Sequence, residues 1–190
     1  MFNEKIILAS ASPRRKELIA NICSNVVIRP SDCDETLPAG LSARQAVEYL
    51  SKIKNEAAVS NLSENEIIIS ADTVVAIGNE ILGKPADKDD ARRMIRLLSG
   101  KTHQVYTGVT ISSGGKSVTF SEKTDVFFYS LTEVEIEEYI STDEPYDKAG
   151  GYAIQGRAGL LIEKIDGDYF NVVGLPVSRL NRELKAFLNS

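Results

Sequence analysis

The chain reads as a mixed α/β protein, a sheet of mixed strand direction with helices on its faces. Three observations predict this. Apolar runs of strand type, such as Lys5–Ala9 and Ile67–Ala71, alternate along the chain with segments of helical periodicity. Two pairs of strands are joined by turns too short for a crossover, Gly78-Asn79 and Ser113-Gly114-Gly115, so both pairs are antiparallel hairpins. No repeat, low-complexity tract or linker interrupts the 190 residues, so residues 1–190 are expected to form a single domain.

The elements follow in order. Residues 5–9 make a buried first strand. Ser12 stands at a helix N-cap and Pro13 at the first helical position, opening a helix over 13–22. Val26-Val27-Ile28 is a short strand, and 30–40 is a loop that clusters Asp32, Asp34 and Glu35. Ser42 caps a long helix over roughly 43–60, with Ala46, Leu50, Ile53, Ala57 and Ala58 at helical spacing. A strand at 67–71 is followed by a hairpin of 74–77 and 80–82. A helix begins at Asp87 or Lys88 and ends at Ser99-Gly100. Long strands at 103–111 and 117–129 form the second hairpin. Thr132 caps a helix through Ile140, with Glu135 completing a capping box. Residues 143–151 are an irregular loop, 160–165 a strand, and Pro176 opens a last helix to Leu188.

Composition narrows the function. The net charge of −5 repels nucleic acids and anionic membrane surfaces, so neither is an expected partner. No run of about 18 apolar residues is present, so no transmembrane helix is expected. Met1–Lys5 leads straight into the first strand, without the long apolar segment of a signal peptide. Cys23 and Cys33 form no CxxC pair, and His103 is the single histidine, so no Cys/His zinc set can be assembled. A cytoplasmic protein with two free thiols is expected. A polyanionic ligand would need positive charge gathered locally.

Such a gathering stands at the first strand-to-helix turn. Arg14, Arg15 and Lys16 fill the first turn of the helix, the wrong sign for its partly positive N-terminus. With free N–H groups and the Ser10 and Ser12 hydroxyls beside them, these cations suit a phosphate. The alternative is a basic turn lying in solvent. Asp72 follows an isoleucine run, and a carboxylate at the end of a buried strand is a common catalytic position in α/β enzymes. Its bland role would be to cap or bridge the strand end. Lys84 is held between Gly83 and Pro85. Lys52 and Lys54, two residues apart on one helix, point to different sides, so at most one need face a site. Residues 147–156 are glycine-rich, which allows close backbone approach to a ligand or forms a plain loop. Ser99-Gly100-Lys101-Thr102 imitates the end of a P-loop, but position 95 is Ile and the segment joins a helix to a strand, so it is rejected. His103 is read as structural.

Together these segments resemble the Maf family. The resemblance rests on Leu8–Arg15, Ser70-Ala71-Asp72-Thr73, Gly83-Lys84-Pro85, Ser99–His103, Asp147-Lys148-Ala149-Gly150 and Val173-Gly174-Leu175-Pro176, in the family's order and across nearly the whole chain. It implies an elongated mixed sheet with a central cleft, similar to inosine triphosphate pyrophosphatase. It also implies hydrolysis of a nucleoside triphosphate to monophosphate and pyrophosphate, with Mg²⁺ or Mn²⁺. By the same resemblance Asp72 is the proton acceptor, and Ser10, Arg14, Arg15, Lys54 and Lys84 contact phosphate. Glu35 lies near the metal with Asp72, and Arg14, Thr73 and Gln155 bear on substrate choice. Members are often homodimers, and the family's older association is with septum formation.

Chemistry supports those implications. Asp72 is placed to orient or deprotonate water, and Asp72 and Glu35 offer hard oxygen ligands suited to Mg²⁺. The cations would neutralise charge as the anhydride breaks. Neither cysteine lies in these motifs, so a thiol nucleophile is not expected. Ala71-Asp72-Thr73 with Ile154-Gln155-Gly156 resembles the family branch that prefers dTTP and UTP, rather than the sibling that prefers 7-methyl-GTP. A Gln amide offers one donor and one acceptor, matching N3–H and a carbonyl of uracil or thymine. The thymine methyl is worth only ~1 kcal/mol in a small pocket, so UTP, dTTP and modified pyrimidines should all be accepted. Two alternatives stand beside this reading: the same enzyme with a purine or modified-base preference, and a non-catalytic nucleotide sensor in cell division.

Overall fold

The computed structural model describes residues 2–59 and 66–190. Its elements are β1 (Ile6–Leu8), α1 (Pro13–Ile19), β2 (Val26–Ile28), α2 (Ala43–Val59), β3 (Ile67–Ile77), β4 (Glu80–Leu82), α3 (Lys88–Leu98), β5 (Thr102–Ser113), β6 (Lys116–Phe128), α4 (Glu133–Ile140), β7 (Ile162–Asp166), α5 (Tyr169–Val173) and α6 (Val177–Leu188). The seven strands form one sheet in the order β2-β1-β3-β5-β6-β7, with β4 also on β3. β2, β1 and β3 run parallel and the remaining pairs antiparallel, so the sheet is mixed as expected.

Local signals placed most element ends. Ser12 Oγ accepts the Arg15 N–H and Pro13 opens α1, while Thr132 and Glu135 close a full capping box on α4. Ser42 Oγ accepts the Gln45 N–H, and Gln45 Oε1 accepts the Ser42 N–H in return, the same device at α2. Gly114 and Gly115 both take positive φ, the conformation that a tight hairpin between β5 and β6 requires. Four expectations shift. The first helix stops at Ile19, and β7 begins at Ile162 after a 3₁₀ turn at Arg157–Leu160. Pro176 caps α6 rather than standing inside it. α5 was not foreseen. Ser60, the expected last residue of the long helix, lies outside the described residues.

The largest correction concerns β3. Residues 67–71 and 74–77 are not two strands but one continuous strand of 11 residues, so Asp72 sits in its middle. Polar Asp72 and Thr73 look like a break in sequence. They stay extended because β5 pairs with every residue from Ile68 to Ala76.

Two main clusters form the core. One packs β1, β3 and β5 against α1 and α6, with Ile6, Leu8, Ile69, Leu175 and Leu180 fully or almost fully buried. The other packs the far end of β3 and β5 against α3 and α4, around Ile95, Leu98 and Ile136. α2 crosses the sheet face so tightly that a Cβ on Gly108 would lie 2.2 Å from the Val47 carbonyl oxygen. Among the described residues no helix is long and apolar enough to cross a membrane.

Candidate active site

The cleft opens where the sheet is interrupted. On one edge of β3, β1 pairs with Ile67–Ile69 and β4 with Val75–Ile77. Between them, residues 70–74 have β5 on their other edge and no strand on this one. A cleft of about 730 Å³ lies at this gap. Neighbouring strand residues point to opposite faces. At an interruption both faces border one space, so Asp72 reaches it from the α2 side and Thr73 from the α1 side.

On the α2 side, Lys54 Nζ lies 2.5 Å from Asp72 Oδ1 and 2.8 Å from Glu35 Oε2. Asp72 itself is only 8% exposed. Burial works against the Lys54 charge, but the charges and hydrogen bonds of Asp72 and Glu35 outweigh it and raise its pKa. The helix is seated by a polar inner stripe: Ser70 Oγ donates to the Ser51 carbonyl (2.7 Å), and Asn55 Nδ2 to the Thr110 carbonyl (3.2 Å). Lys52 points away and pairs with Glu56 at 3.9 Å, so one of the two helix lysines faces the site and the other does not.

On the α1 side, Arg15 is tied into the protein. Its Nε donates to the Gly174 carbonyl (2.9 Å), Nη1 to Ser10 Oγ (3.3 Å) and Nη2 to Thr73 Oγ1 (3.0 Å). Burial lowers its pKa while Asp72 opposes the shift. The hydroxyl chain beyond has a defined direction. Thr107 Oγ1 donates to the Asn171 carbonyl (3.0 Å), so in the 2.9 Å pair between Thr73 and Thr107 the Thr73 hydroxyl is the donor. With its proton committed, Thr73 offers a ligand only an acceptor. Arg14, by contrast, makes no side-chain hydrogen bond or ion pair among the described residues, and neither does Lys84.

The opposite wall comes from 147–155. Lys148 Nζ donates to the Glu144 carbonyl (2.9 Å) and pairs with Asp147. Gln155 is exposed to the cleft, its amide uncommitted among the described residues. Ser10, Arg14, Arg15, Glu35, Lys54, Asp72, Thr73, Lys84 and Gln155 all border one cleft, whereas Lys16, the third cation of the first helical turn, does not. Asp147 and Lys148 border it as well. They carried a motif signal in the glycine-rich segment, but nothing in sequence assigned them a wall. His103 is buried elsewhere, its Nε2 2.7 Å from the Tyr152 hydroxyl, and burial pushes its pKa down to about 4.

Five cations and three carboxylates line the cleft of a chain whose net charge is −5. A divalent metal fits this set. Asp72 and Glu35 converge on one ammonium, and each keeps a second carboxylate oxygen free of that contact. No cluster of three or more His, Cys, Asp or Glu side chains suited to a metal occurs among the described residues. A bound Mg²⁺ or Mn²⁺ would therefore complete its shell with ligand and water oxygens.

A mixed sheet interrupted by a cationic cleft, with a carboxylate set into the interruption, defines an α/β protein built for a phosphorylated ligand. The chain belongs to the Maf family: the family model described as Maf-like protein matches residues 5–187. It is 50% identical to the dTTP/UTP pyrophosphatase of Bacillus cytotoxicus over 186 residues, covering 97% of this chain and 96% of that one. A Bacillus mycoides protein of the same description is 50% identical over 185 residues, covering 96% and 95%. Among solved structures, the Staphylococcus aureus Ham1 protein shares the fold, with a TM-score of 0.57 at 14% identity over 96% of this chain and 99% of that one.

Proposed function

We infer that this chain is a nucleoside triphosphate pyrophosphatase that hydrolyses dTTP and UTP to the monophosphate and pyrophosphate. The observation that carries the reading is the convergence of Asp72, Lys54 and Glu35 at the sheet interruption, with Arg14, Arg15 and Lys84 on the same cleft. The substrate pair comes from the relatives, which are half identical over nearly their full length. The continuous sheet supports residues 1–190 acting as one catalytic domain.

In this reading Asp72 accepts a proton from the attacking water. The water oxygen bonds to phosphorus of the α–β anhydride, the bridging P–O bond breaks, and pyrophosphate leaves. Lys54 orients Asp72 by its close ion pair. Arg14 and Lys84, whose side chains make no hydrogen bond or ion pair among the described residues, take up phosphate charge as it develops. Arg15, with three of its donor positions engaged, shapes the floor and keeps Ser10 and Thr73 in place. Asp72 and Glu35 would hold a divalent metal, which would neutralise charge on the phosphate chain. Gln155 reads the pyrimidine edge through N3–H and a carbonyl, and Thr73 offers a bound ligand only an acceptor.

Asp72→Asn tests the reading. The isosteric amide should lower UTP turnover by on the order of 10³-fold or more. Binding of a non-hydrolysable α,β-methylene UTP, read by calorimetry, should stay within a few-fold of wild type. Turnover within tenfold of wild type would remove Asp72 from the chemistry.

A further inference from the structure

We propose that Glu144 is a positioning residue that sets the base preference by fixing the loop that carries Gln155. The proposal rests on the reading of Gln155 as the base-contacting side chain.

Gln155 makes no hydrogen bond of its own among the described residues, so the backbone around it must place it. That backbone turns on a Gly156 N–H to Ala153 carbonyl hydrogen bond (3.0 Å), and one carboxylate anchors the turn that follows. Glu144 Oε2 accepts the Arg157 N–H at 2.7 Å, and Oε1 accepts the Ala158 N–H at 3.1 Å. These N–H groups open the 3₁₀ turn at Arg157–Leu160 and have no carbonyl within it to bond. The carboxylate thus caps a turn from 13 residues away. The Tyr139 hydroxyl lies 3.1 Å from Oε1 and 3.0 Å from the Gly151 carbonyl, its one proton shared by two acceptors. Burial, and then the Glu144 charge, pushes the Tyr139 pKa upward, so the phenol stays a donor.

Gly156 shows how close the fit is. A Cβ at this position would lie 2.2 Å from Glu144 Oε2 and 2.4 Å from Cδ. Its φ is −103°, so the backbone itself tolerates a side chain and the nearest obstacle is the carboxylate. The Glu144 backbone carbonyl separately holds Lys148. That bond survives truncation of the side chain, so loss of the carboxylate unpins the turn after Gln155 and leaves the Lys148 contact.

This matters because a Gln amide can turn end for end and serve uracil or cytosine alike. Preference for uracil needs the amide held at one height and angle against Thr73, whose hydroxyl polarity is fixed. A loop pinned at Arg157 and Ala158 supplies that restraint.

The experiment measures kcat and KM for UTP and CTP in wild type, Glu144→Ala, Glu144→Gln, Gly156→Ala and the Glu144→Ala/Gly156→Ala double variant, with melting curves for each. Glu144→Ala should lower the UTP-to-CTP ratio of kcat/KM by about tenfold or more, chiefly through KM for UTP, with kcat within a few-fold. Glu144→Gln, which keeps one acceptor oxygen, should fall between. Gly156→Ala should mimic Glu144→Ala, and the double variant should be no worse than Glu144→Ala, because the space the methyl needs has been vacated. A wild-type ratio in Glu144→Ala, or equal losses on both substrates, would overturn the proposal. Should Glu144→Ala fail to fold, Glu144→Gln and Gly156→Ala decide it by the same ratio. If wild type itself does not prefer UTP over CTP, the base-reading role of Gln155 fails and takes this proposal with it.

Discussion

The cleft and the outer face of α3 and α4 are both crowded with charge, and they are wired in opposite ways. On the outer face each arginine has carboxylate partners. Arg92 meets Asp89 and Glu137, Arg93 meets Glu80 and Asp90, and Arg96 meets Glu133. In the cleft, Arg14 and Lys84 have no such partner among the described residues, and Lys54 alone holds two carboxylates. Exposed pairs like those on α3 and α4 add little to stability each, but nothing about them is incomplete. Arg14 feels the charge of Asp147, but neither it nor Lys84 is closed into an ion pair among the described residues. The two cations make sense when a ligand brings the missing negative charge.

The comparison can be broken first at the base-reading position. Gln155→Glu should cut kcat/KM on UTP by on the order of 10³-fold, since a carboxylate cannot donate and is repelled by the substrate's own charge. Its melting temperature should stay near wild type, and an unaffected rate would end the base-reading claim. The second test asks whether burial, rather than pairing, governs titration away from the cleft. His103 is fully buried with a folded-state pKa of about 4, against 6.5 when unfolded. Between those values the unfolded chain binds the extra proton, so stability should fall as pH drops from about 6.5, by roughly 3 kcal/mol at pH 4. Denaturant unfolding of wild type and His103→Gln at pH 7 and 4.5 checks this, and the variant should show a flatter dependence. The third test sets the two regions side by side. Lys84→Ala should raise KM for UTP ~10-fold with little change in melting temperature, as for a lost charge-assisted contact to phosphate. Arg96→Ala, which loses a complete surface pair, should leave KM unchanged and lower the melting temperature slightly.

What was legible in sequence divides along the same physical line. Caps, hairpin turns and apolar runs act within a few residues, so Ser12-Pro13, Thr132 with Glu135, and Gly114-Gly115 could be read directly. The cleft residues were legible because they sit in compact motifs. The interruption that brings Asp72 and Thr73 to one space was not, because it depends on where β1 ends and β4 begins against β3. Glu144 was missed for a related reason: its partners are backbone N–H groups, which leave no mark on residue type. Sequence also cannot show that Gly174, Ser10 and Thr73 engage part of the Arg15 guanidinium.

The central claim is that this cleft completes its charge balance with a pyrimidine nucleoside triphosphate and cleaves it. The most direct test incubates the protein with Mg²⁺ and a panel of separate ribo- and deoxynucleoside triphosphates, 7-methyl-GTP included, and measures pyrophosphate and monophosphate released from each. The account predicts that UTP and dTTP lead by similar rates, with one pyrophosphate per monophosphate and no activity once metal is chelated. Release of inorganic phosphate with a diphosphate product, a lead for 7-methyl-GTP, or nucleotide binding without turnover would contradict it.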